Sequence, residues 1–415
     1  MENATTRKLR LTGLERAWIL YDVGNSAFVL LVATLIPIFF NALAEAGGLS
    51  SVQYLAYWGY AASAVTVITA ILSPILGTLA DTRNFKKPIF TLCLVVGVAG
   101  CCAMGLAKTW LPFLLIFIFA KVGFSGSLVF YDSMLGDVTT QERMDEVSSK
   151  GYAWGYIGSC IPFVVCLGLV LGAGSIGISQ MTALNISLFL TAAWWLVTTL
   201  PLLKQYKQLH YVEVQEHAIR QSFARIGQTL RHLPEDKQVF WFLLAFFCYI
   251  DGVYTIIDMA TAYGTALGLD TTGLLLALLV TQIVAFPSAL VFGWLSAKYP
   301  SATLIPVCIA AYAGIAVFAF FLTEQWQFWV LAVIVGMFQG GVQALSRSHF
   351  AKIIPPEKSG EYFGLFDICG KGASFLGTMI VSVGSQLTGS ANVGVGSLIV
   401  LFIVGFVLFR ISCRK

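Results

Sequence analysis

Charge is scarce in this chain. Asp, Glu, Lys and Arg make up 11% of its 415 residues, against about 25% in an average soluble domain. There are only 4 histidines, and the 9 cysteines fall within or at the ends of apolar runs, with no paired spacing and no nearby histidines. This excludes a disulfide framework and a zinc site, and leaves thiols that pack as small hydrophobes. No phosphate-binding Gly-Lys-Ser/Thr loop follows a strand. There is no His-Glu-x-x-His pattern, no motif with paired catalytic aspartates and no nucleophile constellation. An ATPase and an intramembrane enzyme are therefore disfavoured, and no cofactor is expected.

What the chain has is hydrophobic length: 58% of its residues are apolar. Runs of about 20 apolar residues, each able to cross a hydrocarbon core as a helix, recur from end to end. The predicted spans are 17–42, 54–79, 88–107, 111–134, 149–172, 181–203, 237–262, 271–296, 303–323, 326–349, 361–386 and 392–411. Uniformly apolar runs of this length lack the alternation of a membrane barrel, and backbone groups in lipid must bond within their own segment, so each is read as a helix. The first run is too long for a signal-peptide core and is read as a retained span. The expected fold is an all-α polytopic membrane protein with twelve transmembrane helices in two pseudo-symmetric six-helix bundles.

Of the 25 Lys and Arg residues, all but Lys108, Lys121 and Lys371 fall on the side that would carry both termini. The positive-inside rule makes that side cytoplasmic, as in a multi-pass protein of the cell membrane. The net charge of +4 then reflects topology rather than affinity for nucleic acid. The longest polar interruption separates an N-terminal bundle, 1–203, from a C-terminal bundle, 237–415. Within the linker, 204–236, and its boundary, Ile219, Phe223, Ile226, Leu230 and Leu233 recur at helical steps with Arg220, Arg225 and Arg231 elsewhere on the wheel, which suggests an amphipathic surface helix.

The halves echo one another. Gly77-Thr78-Leu79-Ala80-Asp81 closes the second span and Gly293-Trp294-Leu295-Ser296-Ala297 closes the eighth, 216 residues later. Leu135-Gly136-Asp137-Val138 matches Phe350-Ala351-Lys352-Ile353 at a shift of 215. Parallel repeats of this kind suit a transporter whose halves rock about a midplane site.

Gly77-x-Leu79-x-Asp81-x-Arg83, followed by Lys86 and Lys87, resembles the cytoplasmic loop motif of the major facilitator superfamily. The resemblance implies close helix approach at Gly77 and a charge relay on Asp81. Asn84 and Phe85 depart from the usual pattern, so the base of that relay comes from Arg83, Lys86 or Lys87, and Ala297 replaces the acid in the second half. Trp18 to Ala27, Val129-Phe130-Tyr131-Asp132-Ser133, Ser149 to Tyr156, Tyr249 to Val253 and Gly340 to Ser348 narrow the resemblance, as does Pro355 through Gly370-Lys371. They look like the branch of the fungal autophagy-related vacuolar amino-acid effluxer and its bacterial relatives. Val23, Gly24 and Ile250 depart from that branch beside acidic positions. The branch implies efflux of amino acids.

Charged residues at membrane depth are costly and usually face an interior or a water-filled cavity. At about 1.5 Å of rise per residue, Asp22 and Asp367 sit roughly 9 Å in from the cytoplasmic end, and Lys121, Asp251 and Lys371 sit near the midplane. Asp22, Asn25, Lys121, Tyr254, Gln339, Gln343, Asp367 and Lys371 are the substrate-binding candidates. Asp367 and Lys371, four residues apart, share a helical face and suit either a mutual pair or substrate contact. Asp251 has no partner of its own in the sequence and is placed on one face with Tyr254 and Asp258, so Asp251 and Asp258 are the proton-coupling candidates. Asp81, Arg83, Asp132, Arg143 and Arg347 are the gating candidates, although for Arg347 and Lys352 the positive-inside bias alone suffices. Gln339 and Gln343 equally suit hydrogen bonds between helices.

The expected function is export or exchange of amino acids or similar small polar metabolites by alternating access, with proton coupling. The alternatives are a polyspecific exporter of drugs or organic anions and a membrane ligand sensor that does not transport. The expected partners are a small-molecule substrate and the lipid bilayer, with no required protein partner.

Overall fold

The computed structural model describes residues 10–213, 227–229 and 231–414. Its frame is twelve long helices: α1 Gly13–Ala46, α2 Ser51–Ala80, α3 Lys86–Met104, α4 Trp110–Ser133, α5 Met144–Leu171, α6 Gln180–Gln205, α7 Lys237–Ala266, α8 Thr271–Leu295, α9 Ser301–Phe320, α10 Gln325–Ile353, α11 Ser359–Thr388 and α12 Ala391–Ser412. A single turn, Leu135–Val138, lies between α4 and α5. Every predicted span has its helix, with ends that differ by at most five residues. Among the described residues, eleven of the twelve are long and apolar enough to cross a membrane. The remaining one, α11, carries Glu361, Asp367 and Lys371 within its 30 residues. The amphipathic helix expected in the linker falls mostly on residues outside the described ones.

Local chemistry sets the ends and bends. Thr12 and Glu15 form a reciprocal capping box at the start of α1, and Ser50 and Gln53 do the same for α2, each pair satisfying donors that the first helical turn leaves open. α1 breaks at Thr34, three residues before Pro37, whose ring clashes with the carbonyl four residues back and which has no N–H to donate. α11 ends at Gly389 in the left-handed region, φ 68°, a conformation that glycine adopts without penalty.

Within the first six helices, α1 packs on α5 and α6, and α3 packs on α4; within the last six, α7 packs on α11 and α12, and α8 on α10. The two bundles meet along α2 with α11 and along α5 with α8 and α10. Glycines allow the closest of these approaches. A methyl group at Gly77 would lie 2.2 Å from the Gly360 carbonyl oxygen, and one at Gly364 would lie 2.8 Å from Pro74 Cα. Adding even one carbon there would force α2 and α11 apart.

Candidate functional site

At the end of the bundle that carries both termini, Arg347 of α10 is inserted into the first bundle. It is 2% exposed. Its Nη1 donates to Asp132 Oδ1 on α4 at 3.0 Å, Nε donates to Ser148 Oγ on α5 at 2.9 Å, and Nη2 donates to the Ser148 carbonyl at 3.0 Å. Asp22 Oδ2 on α1 lies 3.6 Å from Nη2. The guanidinium also faces the rings of Trp18 at 4.6 Å and Tyr152 at 4.3 Å. Planar delocalised charge suits this combination of carboxylates, a serine and aromatic faces, whereas a lysine would keep only the charge.

Asp22, the acid that stood out in the first apolar run, belongs to this latch. Tyr131 Oη donates to its Oδ2 at 3.0 Å, and Asn25 Nδ2 approaches Oδ1 at 3.4 Å. A methyl at Gly151 would sit 2.8 Å from Asp22 Oδ2 and 3.1 Å from Arg347 Nη2. Glycine at that point of α5 leaves room for the ion pair.

Two further connections close the same end. Asp145 of α5 accepts from Ser348 Oγ and from Lys352 Nζ on α10, both at 2.6 Å. Asp81, fully buried at the end of α2, accepts from the backbone N–H groups of Gly360 at 2.7 Å and Glu361 at 2.8 Å. These are open donors at the positive N-terminal end of α11. Lys86, equally buried, lies 3.6 Å from Asp81 and donates to Ser359 Oγ at 2.8 Å. Burial pushes the Asp81 carboxyl up to about 6, against the opposing pull of Lys86 and the two backbone donors.

The structure rearranges several sequence expectations. Arg347 and Lys352 are not explained by the positive-inside bias, since each is paired with acids of the other bundle. The base beside Asp81 is Lys86; Arg83 is exposed, 3.6 Å from Glu213, with its guanidinium over the Tyr211 ring. Arg143 pairs with Glu15 at 3.1 Å, inside its own bundle. Asp251 and Asp258 share a face of α7, seven residues apart, but differ in burial. Asp251 is fully buried, and both its carboxylate oxygens accept from the Gly377 backbone N–H of α11 at 2.9 Å, with Thr255 Oγ1 adding a bond at 3.3 Å. Asp258, two turns further along α7, is exposed.

Further from the closed end, several candidates gather around Tyr254 of α7. That half-buried phenol is in electrostatic range of Asp132, Asp367 and Asp258, and Asp258 is in range of Lys121 on α4. Lys121 lies over the Phe124 ring at 4.9 Å. Asp367 on α11 accepts from Ser73 Oγ on α2 at 2.8 Å, a bond between the bundles. Gln343 is half-buried and Gln339 buried, one turn apart on α10. Lys371 lies on α11, and its side chain, with the expected pairing to Asp367, falls outside the described residues. Asp145, Ser148 and Ser73 were not singled out in the sequence. The visible signal for the first two was the Ser-Arg-Ser of α10 set opposite an acidic and hydroxyl-bearing helix start.

Twelve span-length helices in two bundles, joined at one end by buried charges, define a major facilitator transporter, a multi-pass membrane protein. Solved structures agree on the fold. The human organic anion transporter MFSD10 (TETRAN) superposes with a TM-score of 0.70 at 13% identity, covering 95% of this chain and 98% of its own. The transporter FucP in the outward conformation gives 0.67 at 16% identity, covering 97% and 98%. The model of the family described as "Vacuole effluxer Atg22 like" matches residues 14–141 and 136–414, and the chain belongs to that family. An uncharacterized MFS-type transporter of Bacillus subtilis, YxiO, is 42% identical over 404 residues, 96% of this chain and 94% of its own. Autophagy-related protein 22 of Coccidioides immitis is 26% identical over 287 residues, 62% of this chain and 47% of its own. The chain thus spans about half the length of that fungal relative.

Proposed function

We propose that this transporter exports or exchanges amino acids, or closely similar small polar metabolites, by alternating access with proton coupling. The observation that carries the reading is the set Lys121, Tyr254, Asp258 and Asp367, drawn from both bundles and positioned beyond a closed end. An amino acid needs donors for its carboxylate and an acceptor for its ammonium. Lys121 supplies the first, and Asp258 or Asp367 the second. The description of the family as vacuole effluxer Atg22 like supports the direction.

In this reading the termini side is cytoplasmic, and the Arg347, Asp145 and Asp81 connections hold it shut while substrate exchanges with the opposite side. Breaking them lets the bundles rock and open the other way. Asp258, exposed and facing Lys121, is the group we assign to proton exchange, ahead of the buried and bonded Asp251.

A drug exporter would need a wide apolar chamber. Two apolar cavities, one between α7, α8, α9, α10, α11 and α12 bordered by Ile257, Tyr263, Phe328 and Leu398, the other between α2, α3 and α4 bordered by Leu76, Leu92, Val96 and Val122, enclose about 50 and 140 Å³, against about 300–1,000 Å³ for a drug-sized site.

The test is a thermal-shift screen of the purified protein against amino acids, nucleosides, organic acids and amphipathic drugs, because a ligand that binds the native state raises its melting temperature. Amino acids should give the shifts, and Lys121→Ala should abolish them while the variant stays folded. Shifts from drugs alone would overturn the reading.

A further inference from the structure

Among the buried polar groups without a hydrogen-bond partner in the described residues are Tyr156 Oη on α5, Gln339 Oε1 on α10 and Tyr312 Oη on α9. Tyr156 is 9% exposed, Gln339 5% and Tyr312 0%. Leaving one such group unpaired is costly, and native proteins seldom do so without a functional reason. Three in one region need a common cause.

They are neighbours. A methyl at Gly340 would lie 3.1 Å from Tyr156 Cε2, so the absence of a side chain there admits the phenol beside Gln339. The two groups are close enough to influence each other, without a hydrogen bond of normal geometry. Tyr156 and Tyr312 are within electrostatic range of one another, and both are within range of Tyr254. One turn toward the closed end, Tyr152 lies 6.1 Å from Tyr156 between ring centroids and faces Arg347. Tyr156 and Gln339 therefore lie where α5 of the first bundle meets α10 of the second, beyond the latch, with Tyr312 on α9, which packs against α10.

We propose that Tyr156, Gln339 and Tyr312 form a neutral hydrogen-bonding subsite of the transport pathway, which takes the side-chain amide or hydroxyl of an amino-acid substrate. The proposal rests on the amino-acid reading above and adds a specificity to it. A phenol offers a donor and a glutamine oxygen an acceptor, and a primary amide presents both complements. None of the three carries charge, so the subsite complements Lys121, Asp258 and Asp367, which suit the zwitterionic end. An aliphatic substrate would leave all three groups unpaired, and sites built to bond a polar substrate group discriminate strongly against analogues that lack it.

The experiment uses the purified full chain with glutamine and methionine as probes, similar in length and differing in the amide. The wild type should bind glutamine about 10-fold or more tightly than methionine, and Tyr156→Phe and Gln339→Leu should each bring that ratio close to one. Because Tyr156→Phe removes an unpaired buried hydroxyl, the melting temperature of the ligand-free protein should hold or rise. A ratio preserved in both variants overturns the subsite. So does a Tyr156→Phe protein that melts lower with its ratio intact, the signature of a structural hydroxyl. Methionine binding as tightly as glutamine to the wild type overturns the subsite alone, whereas no binding of either amino acid overturns the amino-acid reading with it.

Discussion

Arg347 and Asp132 are bonded to each other across a separation of 215 residues, the same offset that relates Leu135-Gly136-Asp137-Val138 to Phe350-Ala351-Lys352-Ile353. They are equivalent positions of the two repeats, meeting where the bundles come together. Residues placed this way approach their own counterparts, and identical charges would repel. Here one repeat supplies the acid and the other the base.

The latch should be sensitive to its shape as well as its charge. Removing one partner of a buried ion pair costs about 3–5 kcal/mol, so Arg347→Gln is expected to favour opening of the termini side by that order. Arg347→Lys should recover only part, because it loses the bonds to Ser148 and the ring contacts. Distances between spin labels on the termini-side ends of α4 and α10 measure this; distances unchanged in Arg347→Gln would mean the latch does not hold the end closed.

A pH dependence follows from Asp81. Its carboxyl is raised to about 6 by burial, above the water value of about 4, so the closed arrangement binds the proton more tightly than an opened, hydrated one. The sign is therefore that closure at α2 and α11 is favoured as pH falls through 6, is fully favoured below about 4, and is weakened above 6. Asp81→Asn should remove this dependence. Spin-label distances between the ends of α2 and α11 across that range provide the check, and a wild-type distance that widens on acidification would reverse the assignment.

The α2 to α11 approach is steric. Gly77→Ala places a carbon 2.2 Å from the Gly360 carbonyl oxygen, which should cost about 1–3 kcal/mol of the closed form. Gly168→Ala, where nothing lies within 4 Å, serves as the control and should be neutral or slightly stabilising. Thermal unfolding of the pair tests the difference.

Asp251 and Asp258 should separate cleanly. Asp251→Asn disturbs the bond to the Gly377 backbone and should lower stability by about 1–3 kcal/mol, with transport falling in proportion to folded protein. Asp258→Asn should leave the melting temperature in place and flatten the pH dependence of transport. The opposite pattern would return the proton role to Asp251.

The fold was legible because membrane length and apolarity are properties of each segment by itself. The site was legible only in part. Asp22, Asp132 and Asp367 stood out as acids at depth, but what they face depends on other helices, and no periodicity reports that. Arg347 and Lys352 had a sufficient explanation in loop charge bias, which concealed their pairing with Asp132 and Asp145. Asp251 looked unpartnered because its partner is a backbone N–H of α11, a group that no side-chain pattern reveals.

The most direct measurement is uptake of labelled amino acids by the purified protein in liposomes, with and without an imposed proton gradient, for the wild type, Lys121→Ala and Asp258→Asn. The account predicts saturable uptake by the wild type that the gradient drives above equilibrium, none by folded Lys121→Ala, and uptake without gradient-driven accumulation by Asp258→Asn. Failure of the wild type to move any amino acid under either condition would contradict it.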